Sequence, residues 1–257
     1  MSESSTYRFS DRVDHYIKTR PHYPVGVIEL LVNEGVLFPE SIIADVGSGT
    51  GISSEPFLKE GYTVYGIEPN KEMREAGERQ LLHYKEKGFI SINGTAEKTT
   101  LDSSSVDTII CGQAFHWFNK ETSKTEFQRI LRKPGFVVLM WNDRRTDSTD
   151  FLKVYEDFLQ LFGTDYTVVD HKNTQKERVF EDFFGHKEYQ TSFLYNFQDL
   201  DFEALKGRVL SSSYMPNVGH TDFEFMIYCL KKIFLRYQEK GTVRLEYDTK
   251  LYFGKLE

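Results

Sequence analysis

Residues 42–51 read Ile-Ile-Ala-Asp-Val-Gly-Ser-Gly-Thr-Gly, and this run restricts the fold more than any other part of the chain. Four apolar residues and one aspartate lead directly into alternating glycines, the pattern of a buried strand that ends in a tight loop. A helix expected from Ile52 would aim unpaired N–H groups at whatever occupies that loop. Alone, the stretch also fits a glycine-rich turn with no ligand, so the residues beyond Gly51 must decide between the two.

The pattern beyond the loop alternates strands with helices, and one helix precedes it. Pro24 opens that helix, which Gly35 ends. Ile52 to Lys59 reads as helical, with Pro56 expected to shorten or bend it. Thr63 to Ile67 is a second strand, and Asn70 caps a helix running through Leu82. Strands are expected at Phe89 to Ile92, Val106 to Cys111 and Phe136 to Trp141. Asn93 to Ser105 reads as a polar loop with a helical turn, Asn119 to Leu131 as a helix, and Lys133-Pro134-Gly135 as a turn. Beyond Trp141 charges and rings interleave, with helices expected at 151–162, 175–184, 202–210 and 223–238. A strand at 188–197 should pair with the alternating segment 243–253 at one sheet edge. The fold class is therefore α/β, a Rossmann-like three-layer sandwich whose mostly parallel sheet carries helical insertions as a cap.

Glycine spacing separates two kinds of nucleotide-like ligand. A dinucleotide loop requires Gly-x-Gly-x-x-Gly, and the position of its third glycine is held here by Ile52. The glycines instead fall at 47, 49 and 51 behind Asp45. Glu68, at the end of the second strand, is placed to accept hydrogen bonds from both hydroxyls of a ribose. Met73 can press on a base, and Ala96-Glu97 lies at the base edge.

Charge and composition exclude other partners. The formal net charge is −7 with no long basic run, which argues against duplex nucleic acid. No window approaches the ~18 apolar residues of a membrane span. Cys111 and Cys229 stand in unlike contexts, and the polar start gives no signal-peptide core, so a reducing, cytoplasmic location is expected. The histidines form no ligand-spaced cluster, so no metal is expected.

Asp45-Val46-Gly47-Ser48-Gly49-Thr50-Gly51, Gly66-Ile67-Glu68-Pro69-Asn70 with Met73, Gly94-Thr95-Ala96-Glu97, Gln113-Ala114-Phe115-His116-Trp117-Phe118 and Leu131-Arg132-Lys133-Pro134-Gly135 together resemble the class I S-adenosylmethionine-dependent methyltransferases. The similarity is greatest to the small-molecule branch (the methyltransferase type 11 domain) that includes ubiquinone/menaquinone and trans-aconitate methyltransferases. It implies a seven-stranded sheet with an antiparallel last strand. An aromatic, helical lead-in over the cofactor site would occupy residues 1–40, and the methyltransferase domain 41–257, with helical insertions at about 143–186 and 199–240. S-adenosyl-L-methionine is the implied cofactor and S-adenosyl-L-homocysteine its product. The resemblance assigns Asp45, Gly47, Ser48, Gly49 and Gly51 to the cofactor cradle and Glu68 to the ribose. Pro69 and Met73 fall to the adenine, Ala96 and Glu97 to the base edge, and Gln113 to the methionine part. Tyr16 and Arg20 are assigned to the methionine carboxylate, which a guanidinium fork suits.

Methyl transfer from a sulfonium is an in-line displacement, so alignment and water exclusion dominate and a dedicated base is optional. His116, after the fourth strand, is the candidate base or positioning group. Trp117, Trp141 and Tyr214 are candidate rings for an acceptor pocket, and Ser211 to Pro216 a candidate lid edge. The expected function is methyl transfer to an O, N or C atom of a small organic acceptor by a monomer or homodimer. An NAD(P)-dependent oxidoreductase and a non-catalytic S-adenosylmethionine-binding module remain alternatives.

Overall fold

Order along the chain alternates helix and strand up to the third strand, which the fourth follows without a helix between them. The structure, a computed structural model, describes residues 19–164, 177–185, 189–212 and 214–256. Its helices are α1 (Gly26–Asn33), α2 (Glu55–Lys59), α3 (Lys71–Gln80), α4 (Lys120–Ile130), α5 (Asp150–Phe162), α6 (Glu177–Phe184), α7 (Phe202–Leu210) and α8 (Phe223–Tyr237). Its strands are β1 (Ile42–Val46), β2 (Thr63–Ile67), β3 (Phe89–Ile92), β4 (Val106–Gly112), β5 (Leu131–Arg144), β6 (Tyr189–Leu200) and β7 (Val243–Gly254). They form one seven-stranded sheet in the order β3-β2-β1-β4-β5-β7-β6. β7 runs antiparallel to both of its neighbours, and the other six share one direction. Strand order reverses between β1 and β4, which opens a crevice at their carboxyl ends.

Strand parity builds the layers. Val137, Leu139 and Trp141 of β5 face a core with Phe115, Phe127, Phe180, Phe183 and Phe184, whereas Val138 and Met140 face a core with Val27, Leu31 and Phe57. A third core, around Phe151, Tyr155, Leu205, Met226 and Leu230, forms the helical cap on Val243, Leu245 and Tyr247 of β7.

Three local expectations change. The first helix after the glycine loop begins at Glu55 rather than Ile52, because Ser53 and Ser54 turn their hydroxyls back onto Asp45. Pro56 then sits in the first helical turn, where no donor is needed. The polar loop 93–105 contains no helical turn, only a bridge between Thr95 and Lys98. β5 is longer than expected: Leu131 pairs with Val106 and Phe136 with Thr108, so 132–135 loop out within one strand, which then continues to Arg144.

Asn142, 5% exposed, ties the segment before α1 to the sheet. Its Nδ2 donates to the carbonyls of Pro21 (3.3 Å) and His22 (3.5 Å), and its Oδ1 accepts from Thr249 Oγ1 (2.6 Å) and Asn196 Nδ2 (3.2 Å). Asn142→Ala should lower unfolding free energy by roughly 1–3 kcal/mol, because several buried partners lose their hydrogen bonds at once. Urea denaturation followed by tryptophan fluorescence measures this, and an unchanged midpoint and slope would show that the tie is dispensable.

Candidate active site

The start of the glycine loop is held by one acceptor. Ile67 carbonyl, at the end of β2, accepts from Gly47 N (2.9 Å) and Ser48 N (3.1 Å), which pins the reversal to the neighbouring strand. Gly47, Gly49 and Gly51 have φ of 75°, 54° and 84°. Two of them also have no space for a side chain: a Cβ on Gly47 would lie 2.6 Å from Ala114 Cβ, and one on Gly51 2.5 Å from Leu81 Cδ1. A Cβ on Gly77 of α3 would stand 3.1 Å from Gly49 O, so this glycine lets α3 lie against the loop.

Glu68 carries the loop into the second half of the site. It is 9% exposed; Oε2 accepts from Gly49 N at 2.9 Å and Oε1 from Asn70 N at 2.8 Å. Burial raises its pKa above the ordinary carboxylate value, although the Asn70 and Gly49 amides and the Arg74 charge act in the opposite direction. Each oxygen retains a second lone-pair direction for a hydroxyl donor. Asn70 Oδ1 also caps α3 through Met73 N at 2.8 Å, which places Met73 beside Gly49. Arg74 Nη1 donates to Glu68 O at 2.9 Å and fixes the turn from beneath. Sequence reasoning missed Arg74 and Gly77, whose positions resemble ordinary helix residues.

Asp45 is fully buried at the heart of the loop. Oδ2 accepts from Ser53 Oγ (2.7 Å) and Ser54 Oγ (2.6 Å), while Oδ1 is buried without a hydrogen-bond partner among the described residues. Desolvation, only partly offset by the two hydroxyls, raises its pKa to about 6. An orphaned buried acceptor beside a side-chain-free cradle fits a ligand that brings its own donor, such as the ammonium of a bound amino acid moiety.

The remaining expected residues divide. Gln113 leaves β4 at φ 56°, with its N donating to Met140 O at 2.9 Å and its Nε2 to Asn142 O at 3.3 Å, so it bridges the ends of β4 and β5. His116 and Trp117 lie half-buried on a 3-10 turn, Phe115–Trp117, with ring centroids 4.7 Å apart. Glu97 accepts from Asn119 N at 3.0 Å, which helps lower its pKa against the effect of burial. Ala96 is 1% exposed and its methyl belongs to the core, so only its backbone is offered to a ligand. Pro69 is half-buried. Arg20 Nη2 donates to Ser211 O at 2.9 Å, joining the lead-in to the cap. Tyr214 is half-buried against the cap core, and its carbonyl accepts from Thr164 N at 3.0 Å. Tyr16 lies outside the described residues.

Trp141 departs from expectation. β5 runs three residues past it, so Trp141 is not at the strand end. It is fully buried, packed on Phe115 (6.4 Å), Phe180 (5.9 Å) and Tyr252 (5.8 Å). It is therefore a core ring, and the strand-end position belongs to Asn142, Asp143 and Arg144.

A loop of this kind at the switch point of a sheet with this strand order defines a Rossmann-like methyltransferase fold. Residues 44–139 match the family described as a methyltransferase domain. Curated relatives include a methyltransferase-like protein of Schizosaccharomyces pombe, uncharacterized, 31% identical over 145 residues, which are 53% of this chain and 52% of the relative. Another is CRG1 of Saccharomyces cerevisiae, a probable S-adenosylmethionine-dependent methyltransferase, 33% identical over 156 residues, 55% of this chain and 50% of that protein. The chain thus spans about half the length of the curated relatives it matches. Among solved structures, a candidate type II methyltransferase from Anaeromyxobacter dehalogenans superposes with a TM-score of 0.59 at 18% identity, covering 92% of this chain and 97% of that one. A Bacillus halodurans methyltransferase candidate gives 0.54 at 15% identity, covering 90% and 98%, and both likenesses concern the fold. Among the described residues no group of three or more potential metal ligands is found, and no helix is long and apolar enough to cross a membrane.

The raised pKa of Asp45 gives a pH signature. Between the unfolded carboxylate value of 3.8 and the folded value of about 6 the native state binds the proton more tightly, so Asp45's contribution makes stability fall as pH rises through that interval. Asp45→Asn should remove this slope, at most ~1.4 kcal/mol per pH unit. Urea midpoints at pH 4, 5, 6 and 7 measure it, and parallel curves for the two proteins would contradict the assignment.

Proposed function

We propose that the chain is an S-adenosylmethionine-dependent methyltransferase that delivers the methyl group to an O, N or C atom of a small organic acceptor. The observation that carries this reading is the hydrogen bond from Gly49 N to Glu68 Oε2, with the orphaned Asp45 Oδ1 beneath it. It joins a glycine cradle to a buried carboxylate one strand away, a pairing that suits a nucleoside ligand.

The bound cofactor supplies an electrophilic methyl on a sulfonium, whose carbon–sulfur bond breaks with its electron pair going to sulfur as the acceptor's lone pair forms the new bond. The chain's residues bind and orient. Glu68 accepts the ribose hydroxyls, Met73 and Pro69 cover the adenine, and Glu97 with the Ala96 backbone meets the base edge. Asp45 and Gln113 receive the methionine end, with Arg20 and Tyr16 assigned to its carboxylate. The described part of the lead-in, residues 19–40, and the cap exclude water. His116 and Trp117, on the turn leaving β4, stand beside the acceptor, and His116 takes a proton where the acceptor atom bears one. Tyr214 lines the cap side.

The oxidoreductase alternative loses support because Ile52 replaces the glycine of a dinucleotide loop and residues 44–139 match the methyltransferase domain. Calorimetric titration with S-adenosylmethionine, S-adenosylhomocysteine and NAD should show binding of the first two alone. Tight NAD binding without response to the others would end the proposal. Glu68→Ala should weaken S-adenosylhomocysteine binding by at least ~1.5 kcal/mol while remaining folded, since charge-assisted hydrogen bonds are lost. Equal affinity in the variant would remove Glu68 from the site.

A further inference from the structure

The turn that carries His116 and Trp117 rests on the glycine loop at both of its ends. A Cβ on Gly47 would lie 2.6 Å from Ala114 Cβ and 3.4 Å from Phe118 Cζ, and these two buried residues flank the 3-10 turn Phe115–Trp117. Trp117 N donates to Ala114 O at 2.9 Å and Phe118 N to Phe115 O at 3.2 Å, which closes the turn on itself. Its entry is fixed by Gln113 N, which donates to Met140 O at 2.9 Å. Between the two ends His116 and Trp117 are half-buried.

Lys120 holds the exit. Its Nζ donates to Phe118 O at 2.8 Å and, more loosely, to His116 O at 3.4 Å, and it lies 5.1 Å from the centroid of the Phe115 ring. One ammonium therefore ties Phe115, His116 and Phe118 together. On local grounds the position does not suit a lysine. Lys120 opens α4, at the end of a helix where the macrodipole repels a cation. It is half-buried, and burial lowers its pKa from the ordinary lysine value, with Glu121 and Glu97 acting in the opposite direction. A residue needed only to start the helix would be better acidic or neutral. The carbonyls within its reach supply the missing reason.

A second tie runs from the same helix start to the cofactor side. Asn119 caps α4 by accepting from Thr122 N at Oδ1 (3.1 Å), and its own N donates to Glu97 Oε1 at 3.0 Å. Glu97, the proposed base-edge residue, thereby fixes the point from which the Lys120 side chain extends. A bound base restrains Glu97, and so removes part of the ordering cost of the helix start and of the turn that Lys120 holds to it.

We propose that Lys120 is the positioning residue of the acceptor side: its ammonium clasps the turn that carries His116 and Trp117, and the Glu97–Asn119 hydrogen bond couples this clasp to the cofactor's base. An occupied cofactor site then orders the acceptor side. This rests on the methyltransferase reading. Lys120 acts through the Phe118 and His116 carbonyls, and no bond in the transfer is made or broken at it.

The test uses the full chain and acrylamide quenching of tryptophan fluorescence, in the free protein and at S-adenosylhomocysteine saturation verified by calorimetry. The chain has two tryptophans and Trp141 is fully buried, so the quenched signal reports Trp117. Wild-type protein should be quenched less once S-adenosylhomocysteine is bound. Lys120→Met should be quenched more than wild type in the free state and should lose the protection at saturation. Glu97→Ala, with ligand raised to saturation, should lose it too; protection retained there overturns the coupling through Asn119. A lysine that served only the stability of α4 would shift the urea midpoint and leave the protection as in wild type. That result, or a wild-type protein that binds S-adenosylhomocysteine with no change in quenching, overturns the positioning role and leaves the methyltransferase reading intact. If Lys120→Met binds no S-adenosylhomocysteine, Lys120→Gln decides on the same criteria. Failure of both to bind it overturns the acceptor-side role, since the residue then serves the whole fold. Wild-type protein that binds no S-adenosylhomocysteine overturns this proposal and the methyltransferase reading together.

Discussion

The reversal of the chain after β1 is the constraint on which the site depends. One carbonyl, Ile67 O, holds two successive amides of the loop, so the loop is registered to β2 rather than free to settle elsewhere. That register places Gly49 N at the carboxylate one residue beyond the same carbonyl, and Glu68 in turn holds Asn70, which caps α3. Closeness comes from the absence of side chains at Gly47, Gly51 and Gly77, where a methyl would meet Ala114, Leu81 or the loop backbone. A fully buried carboxylate with one oxygen unsatisfied is an expensive feature in such a setting. A loop that served only to connect β1 to α2 would lose nothing by replacing Asp45 with an apolar residue.

The cap is mechanically part of the sheet because β7 serves three cores. Leu251 and Phe253 lie in the core with α1 and α2, Tyr252 packs on the opposite face with Trp141 and Phe180, and Val243, Leu245 and Tyr247 nucleate the cap. The twelve-residue strand is longer than the sheet core needs, and its first four residues extend past the carboxyl end of β5. The lead-in is anchored in the same region through Asn142, Asn196 and Gln198. Groups at that end of the sheet therefore sit on a continuous strand that is shared with the cap.

The cofactor half of the fold was legible because its chemistry is local. Glycines at fixed spacing, an acidic residue closing the next strand and a capping asparagine fall within 29 residues of one another, from Ile42 to Asn70, and each has a backbone reason for its identity. Strand alternation in 243–253 and its pairing with β6 were readable for the same reason, since period-two burial is written in adjacent residues. Legibility failed where tertiary contacts set the outcome. Nothing near Trp141 in sequence signals that β5 continues past a looped-out 132–135 segment, and that continuation turns a candidate pocket ring into a core ring. The late start of α2 depended on Ser53 and Ser54 preferring a carboxylate on another element to the helix they precede.

The helical cap shows why contacts among distant elements escape sequence reading. Tyr155, Arg208, Tyr214 and Tyr247 come from α5, α7, the connection after α7, and β7, and no spacing links them. Each residue alone reads as an amphipathic helix or strand position, with the ring or the aliphatic stem inward. Arg208 of α7 interacts with Tyr247, Tyr155 and Tyr214, a relation among distant elements that no spacing in the sequence announces.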